Sequence, residues 1–284
     1  MRSWLTLAVM LVLVAGLGWW YVEHTAEPAA TTETVSAASS VTIAAIRIDW
    51  AGGEQRTLQK DGDRWHITAP YRARADGFMV ERMLTLLAAP AEMTMPATDL
   101  ARFELEQPRI RVTFGDERID IGALHPLTGG LYVRRGERVL LVEARFAAVV
   151  PSDPTALNDK RLLGRDEVPV AFGFPAFKVT QTEGRWRMTP DGEGLSQDEL
   201  LHWIENWRLA SALRAEPYAG AAPATRIAIT LRDGRTVDVG VTERDGEIAF
   251  LRADEKMRYY LFPKNARALL APPTAAAEPA TTPK

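Results

Sequence analysis

The sequence predicts an α+β fold: an N-terminal transmembrane helix followed by two tandem, similar units, each an antiparallel sheet plus a helix. Three observations predict it. First, the chain is written twice. Gly62-Asp63-Arg64-Trp65-His66-Ile67-Thr68 returns as Gly184-Arg185-Trp186-Arg187-Met188-Thr189. Arg109-Ile-Arg-Val-Thr-Phe-Gly-Asp-Glu-Arg-Ile-Asp-Ile-Gly122 returns as Arg226-Ile-Ala-Ile-Thr-Leu-Arg-Asp-Gly-Arg-Thr-Val-Asp-Val-Gly240. Both segments recur in the same order at an offset of roughly 120 residues, which chance rarely produces. Second, each copy alternates apolar and polar residues between turn signals and carries one amphipathic helix, with no β-α-β alternation of the Rossmann kind. Third, Trp4 to Val22 is uncharged and long enough to span a bilayer.

That apolar segment follows Arg2 and precedes Glu23, a bias that leaves the N-terminus cytoplasmic and the rest of the chain outside. Trp19, Trp20 and Tyr21 fall at the far headgroups, and their bulk argues for an uncleaved anchor over a signal peptide. Residues 1–24 are therefore read as cytoplasmic start and anchor. Residues 25–40, rich in Ala, Thr, Ser, Glu and Pro, are read as a flexible linker.

Unit one is expected at 41–150. Val41–Trp50 and Arg56–Lys60 read as strands, and Asp61-Gly62-Asp63 turns into a third at Arg64–Thr68. Asp76 can cap a helix whose Val80, Met83, Leu84 and Leu87 share a face, and Pro90 stops it. A linker through Pro96 and Pro108 leads to strands at Arg109–Phe114, Arg118–Ile121, Leu131–Arg134 and Val139–Val142. A short helix at Phe146–Val150 closes the unit.

Residues 151–168 are a connector, and unit two at 169–270 repeats the plan. Phe177–Gln181 and Arg185–Thr189 form its hairpin. Ser196-Gln-Asp-Glu199 is a capping box, with Leu195 and Leu200 placed for a hydrophobic staple. Strands at Arg226–Leu231, Thr236–Val239, Ile248–Arg252 and Arg258–Phe262 precede a closing helix at Asn265–Leu270. Residues 271–284 read as a disordered tail.

Hydrophobic residues at 46% and charged ones at 25% suit a protein with buried cores. A net charge of −3, with 34 Lys and Arg spread among 37 acids, argues against a nucleic-acid partner. Zero cysteines exclude disulfides, thiolate catalysis and cysteine metal sites.

Several motifs taken together resemble a known family. They are Trp65-x-Ile67 leading to Pro70 and Ala75-Asp76, then Phe103-Glu-Leu-Glu-Gln-Pro108, Ile121-Gly122, Leu131-Tyr-Val133 and Asn158-Asp-Lys-Arg-Leu-Leu163. This order resembles a bacterial family of membrane-anchored proteins known as a domain of unknown function, often encoded beside ABC-type transporter components of the gliding-motility-auxiliary kind. The resemblance implies a transporter connection and carries over no catalytic residue. Where the family pattern has glycine after the aromatic, this chain has Glu104, which implies a locally different turn.

No catalytic, cofactor or metal residue is assigned. His24, His66, His125 and His202 lack metal-ligand spacing and read as surface or loop residues. No nucleophile elbow or phosphate loop occurs. Asp120 and Asp238 recur on equivalent strands and are expected to point to water, whereas Trp65 and Trp186 are expected in the cores. Trp203 and Trp207, four apart on the second helix, share its expected buried face. They are also the possible binding residues, should one be partly exposed. The leading expectation is a non-enzymatic, single-pass, inner-membrane protein, its folded region periplasmic, whose partners are the bilayer through residues 4–22 and a membrane complex. The alternative is a glycan- or lipid-binding module using exposed aromatics or the inter-unit cleft. An envelope hydrolase ranks third.

Overall fold

A computed structural model describes residues 33–192, 195–220, 223 and 225–274. The anchor expected at 4–22, His24 and most of the expected tail lie outside the described residues. Among the described residues no helix is long and apolar enough to cross a membrane.

Unit one comprises β1 (Ala45–Trp50), β2 (Gln55–Asp61), β3 (Arg64–Ala69), β4 (Ala73–Arg74), α1 (Gly77–Leu84), β5 (Ala91–Pro96), β6 (Ile110–Phe114), β7 (Glu117–Leu124), β8 (Leu131–Arg135) and β9 (Arg138–Val142). Unit two comprises β10 (Pro169–Gly173), β11 (Lys178–Thr182), β12 (Arg185–Thr189), α2 (Gln197–Arg208), β13 (Arg214–Pro217), β14 (Thr225–Leu231), β15 (Thr236–Arg244), β16 (Glu247–Arg252), β17 (Met257–Leu261) and α3 (Pro263–Leu270).

The two sheets share one plan. The first runs β4-β3-β2-β1-β6-β7-β8-β9-β5 and the second β12-β11-β10-β14-β15-β16-β17-β13. Removing β4 makes the two orders equivalent strand for strand. In both, the chain leaves one edge, passes through a helix, adds a strand at the opposite edge and returns to the centre. Every pairing between strands is antiparallel, as the sequence requires.

Two edge strands, β5 and β13, depart from expectation. The stretch read as a linker contains β5, which pairs with β9, and β13 pairs with β17 in the same way. An edge strand has a single neighbour and tolerates proline, so neither strand needs the alternation that marks a central one. A second correction falls on the expected linker 25–40. Within it, Val35 and Ser36 are buried, and their backbone N–H groups donate to Ala89 and Leu87 at 2.9 and 2.8 Å.

The helices form for local reasons. The Asp76 side chain accepts from the backbone N–H groups of Phe78 and Met79, capping α1, and Val80, Met83 and Leu84 are buried. Ser196 and Glu199 complete the reciprocal capping box at the start of α2, which buries Leu200, Trp203, Ile204 and Trp207. The inward faces of both sheets, the helices and connector residues Leu157, Leu162 and Leu163 form one continuous apolar core.

A second, smaller core lies on the opposite face of the first sheet. Residues 97–109 between β5 and β6 fold back over it, placing Phe103 and Leu105 against Val139 and Tyr132. A side chain at Gly122 would meet the Phe103 carbonyl oxygen at 2.3 Å and Leu105 Cγ at 2.8 Å, so this close approach requires glycine. Glu104, standing where the family pattern has glycine, adopts φ 55 and ψ 32. That is the left-handed conformation, which glycine adopts freely and other residues adopt at a cost.

Candidate functional site

The two sheets meet through the connector, and charge is concentrated there. Arg74, at the end of β4, donates from Nε to Glu255 at 2.6 Å, from Nη1 to Asp159 at 3.2 Å and from Nη2 to the Arg161 carbonyl at 2.6 Å. Tyr259 donates to Glu255 at 2.5 Å and accepts from Arg74 at 3.1 Å. Arg252, 1% exposed, donates to Glu167 at 2.5 and 2.9 Å, to Asp254, and to the Leu162 carbonyl at 3.0 Å. Asn158, fully buried, donates to the Ala215 carbonyl at 2.6 Å and accepts from Tyr71 at 2.9 Å. Residues of unit one, the connector and unit two thus share one hydrogen-bonded network.

Burial opposes ionisation of Glu167, but hydrogen bonding and attraction from Arg252 hold its carboxyl below the usual range. Burial likewise raises the Tyr259 hydroxyl. Glu167, Asp254 and Glu255 bring carboxylate oxygens within 4.8 Å of one another, a spacing suited to a cation. The Arg252 guanidinium already lies 2.5 Å from Glu167, 2.5 Å from Asp254 and 3.6 Å from Glu255. It supplies the positive charge that a metal would bring.

Beside this network, between unit one and the connector, lies a cleft of about 420 Å³ lined by Trp65, His66, Arg74, Phe78, Arg161 and Asp166 among others. Trp65 is 4% exposed and its indole N–H has no hydrogen-bond partner among the described residues. Phe78 is 65% exposed.

Of the residues singled out from sequence, Trp203 and Trp207 are core residues, not exposed binding aromatics. They are 5% and 0% exposed, and their indoles donate to the carbonyls of Ala271 at 2.9 Å and Leu269 at 3.2 Å. Phe172, Phe174 and Phe250 pack around them. Both tryptophans are therefore closed off by α3 and by Ala271, the first residue of the expected tail. Trp65 and Trp186 are buried as expected.

Asp120 corrects the expectation that it points to water. It lies on the sheet face opposite the main core, yet is 1% exposed because arginines cover it. Arg111 from β6, Arg118 from β7 and Arg134 from β8 donate to its carboxylate at 2.8, 3.2 and 2.5 Å. Burial works against the charge, and the three arginines outweigh it, so the carboxyl is held below the usual range. The register explains the cage, since Arg111 and Arg134 stand directly opposite Asp120 on the flanking strands.

Asp238, its counterpart on β15, is exposed as expected. Ala228 stands opposite it on β14, Thr236 precedes it by two, and Ala253 lies on its other side, so all three arginines are gone. A cavity of about 420 Å³ opens beside it, lined by Pro223, Arg226, Gly240, Leu251, Ala253 and Lys256 among others. Sequence reading missed this asymmetry. Its signal was the replacement of Arg111 by Ala228 within the repeat already recognised.

His66 is half-buried at the junction cleft, and His202 is exposed on α2. His125 accepts from the Thr128 backbone N–H at 3.2 Å within its own loop.

Fold and site together define a duplicated α+β protein whose halves are joined by a buried ionic clamp. The chain belongs to the family described as Domain of unknown function (DUF4340), which it matches over residues 65–219. That stretch runs from β3 through the connector to just beyond β13, so it includes Arg74, Asp159 and Glu167 of the clamp. No curated protein and no solved structure matches the chain.

Proposed function

We propose that this protein is a non-enzymatic accessory or scaffold subunit of an envelope membrane complex such as an ABC-type transporter, held to the inner membrane by residues 4–22 with its two units outside the cytoplasm. The observation that carries the reading is the clamp. The buried charged residues at the junction are spent on one another, tying two sheets into one body around a continuous core. A rigid body with broad outward sheet faces suits docking, because little ordering entropy is lost when a preformed surface meets its partner. The uncharged 4–22 stretch supports the membrane location.

Fractionation followed by affinity isolation of the full-length chain from detergent-solubilised membranes tests this. The expected result is a chain that resists alkaline extraction and returns with a transporter component in near-equal amount. Recovery in the soluble fraction with no envelope protein attached overturns it.

A second reading, glycan binding in the junction cleft, is favoured by the unpaired Trp65 indole beside the exposed Phe78 ring. It expects a saturable change in tryptophan fluorescence with envelope oligosaccharides, lost in Trp65→Phe. A flat titration removes it.

A further inference from the structure

We infer that the open face of unit two is a docking site for a partner protein segment in which an acidic residue is flanked by large apolar ones. This deepens the scaffold reading and rests on it.

Unit one shows what the position accepts. There, Phe103-Glu104-Leu105 lies over Gly122, its two apolar side chains fill the small core, and Glu104 pairs with Arg109 at 2.7 Å. The repeat makes Arg226 the counterpart of Arg109, and Gly240 that of Gly122. In unit two the covering segment is cut short: residues 218–224 join β13 to β14 where 97–109 join β5 to β6. Pro223 covers Gly240, where a side chain would meet its Cγ at 2.2 Å, and the cavity opens alongside it.

Besides Arg252, which is engaged in the clamp, three charged side chains border that cavity: Arg226, Lys256 and Asp238. None has a hydrogen bond or ion pair among the described residues, although Arg226 and Asp238 lie on the same strand pair. In unit one both corresponding positions are satisfied, Arg109 by Glu104 and Asp120 by its arginines. An incoming acid matches Arg226 and Lys256, and flanking apolar groups match the exposed Ala253 and the half-buried Pro223. Asp238 accepts a donor from the same segment and disfavours a second acid beside the first.

The test places a photo-activated cross-linking residue at Ala253 of the full-length chain in intact producing cells and sequences the captured peptide. The expected capture is a protein segment with Asp or Glu between large apolar residues, falling at least tenfold in Arg226→Glu. Arg109→Glu, the same change in unit one, leaves the yield unaltered. Arg226 is exposed and unpartnered, so the variant should melt within about two degrees of the parent, which separates lost docking from lost folding. Capture of lipid, glycan, a second copy of this chain or a basic segment overturns the inference, as does a yield indifferent to Arg226→Glu. If the parent still returns with its membrane complex but Ala253 captures nothing, this surface is wrong and the scaffold reading stands. If no complex returns, both fall.

Discussion

Unit one and unit two are built on one strand order, yet they treat the outward face of the sheet in opposite ways. The first closes it: residues 97–109 lay Phe103 and Leu105 over Gly122, and three arginines bury Asp120. The second covers Gly240 with Pro223 and opens a cavity beside Asp238 and Arg226. The inward residues repeat because one helix must pack on one apolar sheet face in both units. The outward residues were free to diverge, and where a duplicated fold differs outside its core, function has room to settle.

The largest effect should come from breaking the clamp that joins the halves. Arg252→Ala strands Glu167 in a buried site, and a loss of about 3–5 kcal/mol is expected by denaturant unfolding. Arg252→Met combined with Glu167→Gln should recover much of it, since no charge is then left buried alone. A double variant as unstable as the single would show that the network does not couple these groups.

The next effect contrasts the two aspartates directly. Asp120→Asn should cost about 2 kcal/mol, because three arginines lose a buried charged acceptor. Asp238→Asn should cost less than about 0.5 kcal/mol, as expected of an exposed side chain without partners. Because the Asp120 carboxyl is held below its usual range in the folded chain, its stabilisation is complete above the ordinary carboxylate range. It is lost as pH falls through the lowered value. The gap between parent and Asp120→Asn should therefore be constant near neutrality and narrow below about pH 4. A gap that widens in acid would contradict the cage.

A smaller effect tests the covering segment. Glu104→Gly relieves a left-handed residue and removes an exposed ion pair, so the two terms oppose and the net change should stay within about 1 kcal/mol. Gly122→Ala, which drives a methyl group into the Phe103 carbonyl, should instead lose more than that.

Much of the fold was legible because its causes are local. The Ser196–Glu199 box and the Asp76 cap involve residues at most three apart, and both formed as read. Most central strands announced themselves by alternation, but β10 did not, because Pro169–Gly173 is short and carries no apolar–polar alternation. The edge strands β5 and β13 did not, because their partners β9 and β17 lie far along the chain. Val35 was read as linker because one apolar residue among small polar ones carries no periodic signal, and its docking site is the chain after α1. Helical spacing put Trp203 and Trp207 on the buried face, but whether that face was fully closed depended on α3 and Ala271. Alternation put Asp120 on the correct face of its strand, and only the register with β6 and β8 revealed what covers it.

The open face of unit two is tested most directly by accessibility, because the chain has no cysteine to confuse labelling. A single cysteine at Lys256, on the cavity rim, would be challenged with a membrane-permeant maleimide in intact cells and again after purification, with Asp116→Cys, in the exposed turn between β6 and β7, as a control. The account expects at least tenfold slower labelling of the Lys256 position in cells than in the purified chain, with the control unchanged. Equal rates in both settings would mean that nothing covers this face where the protein works.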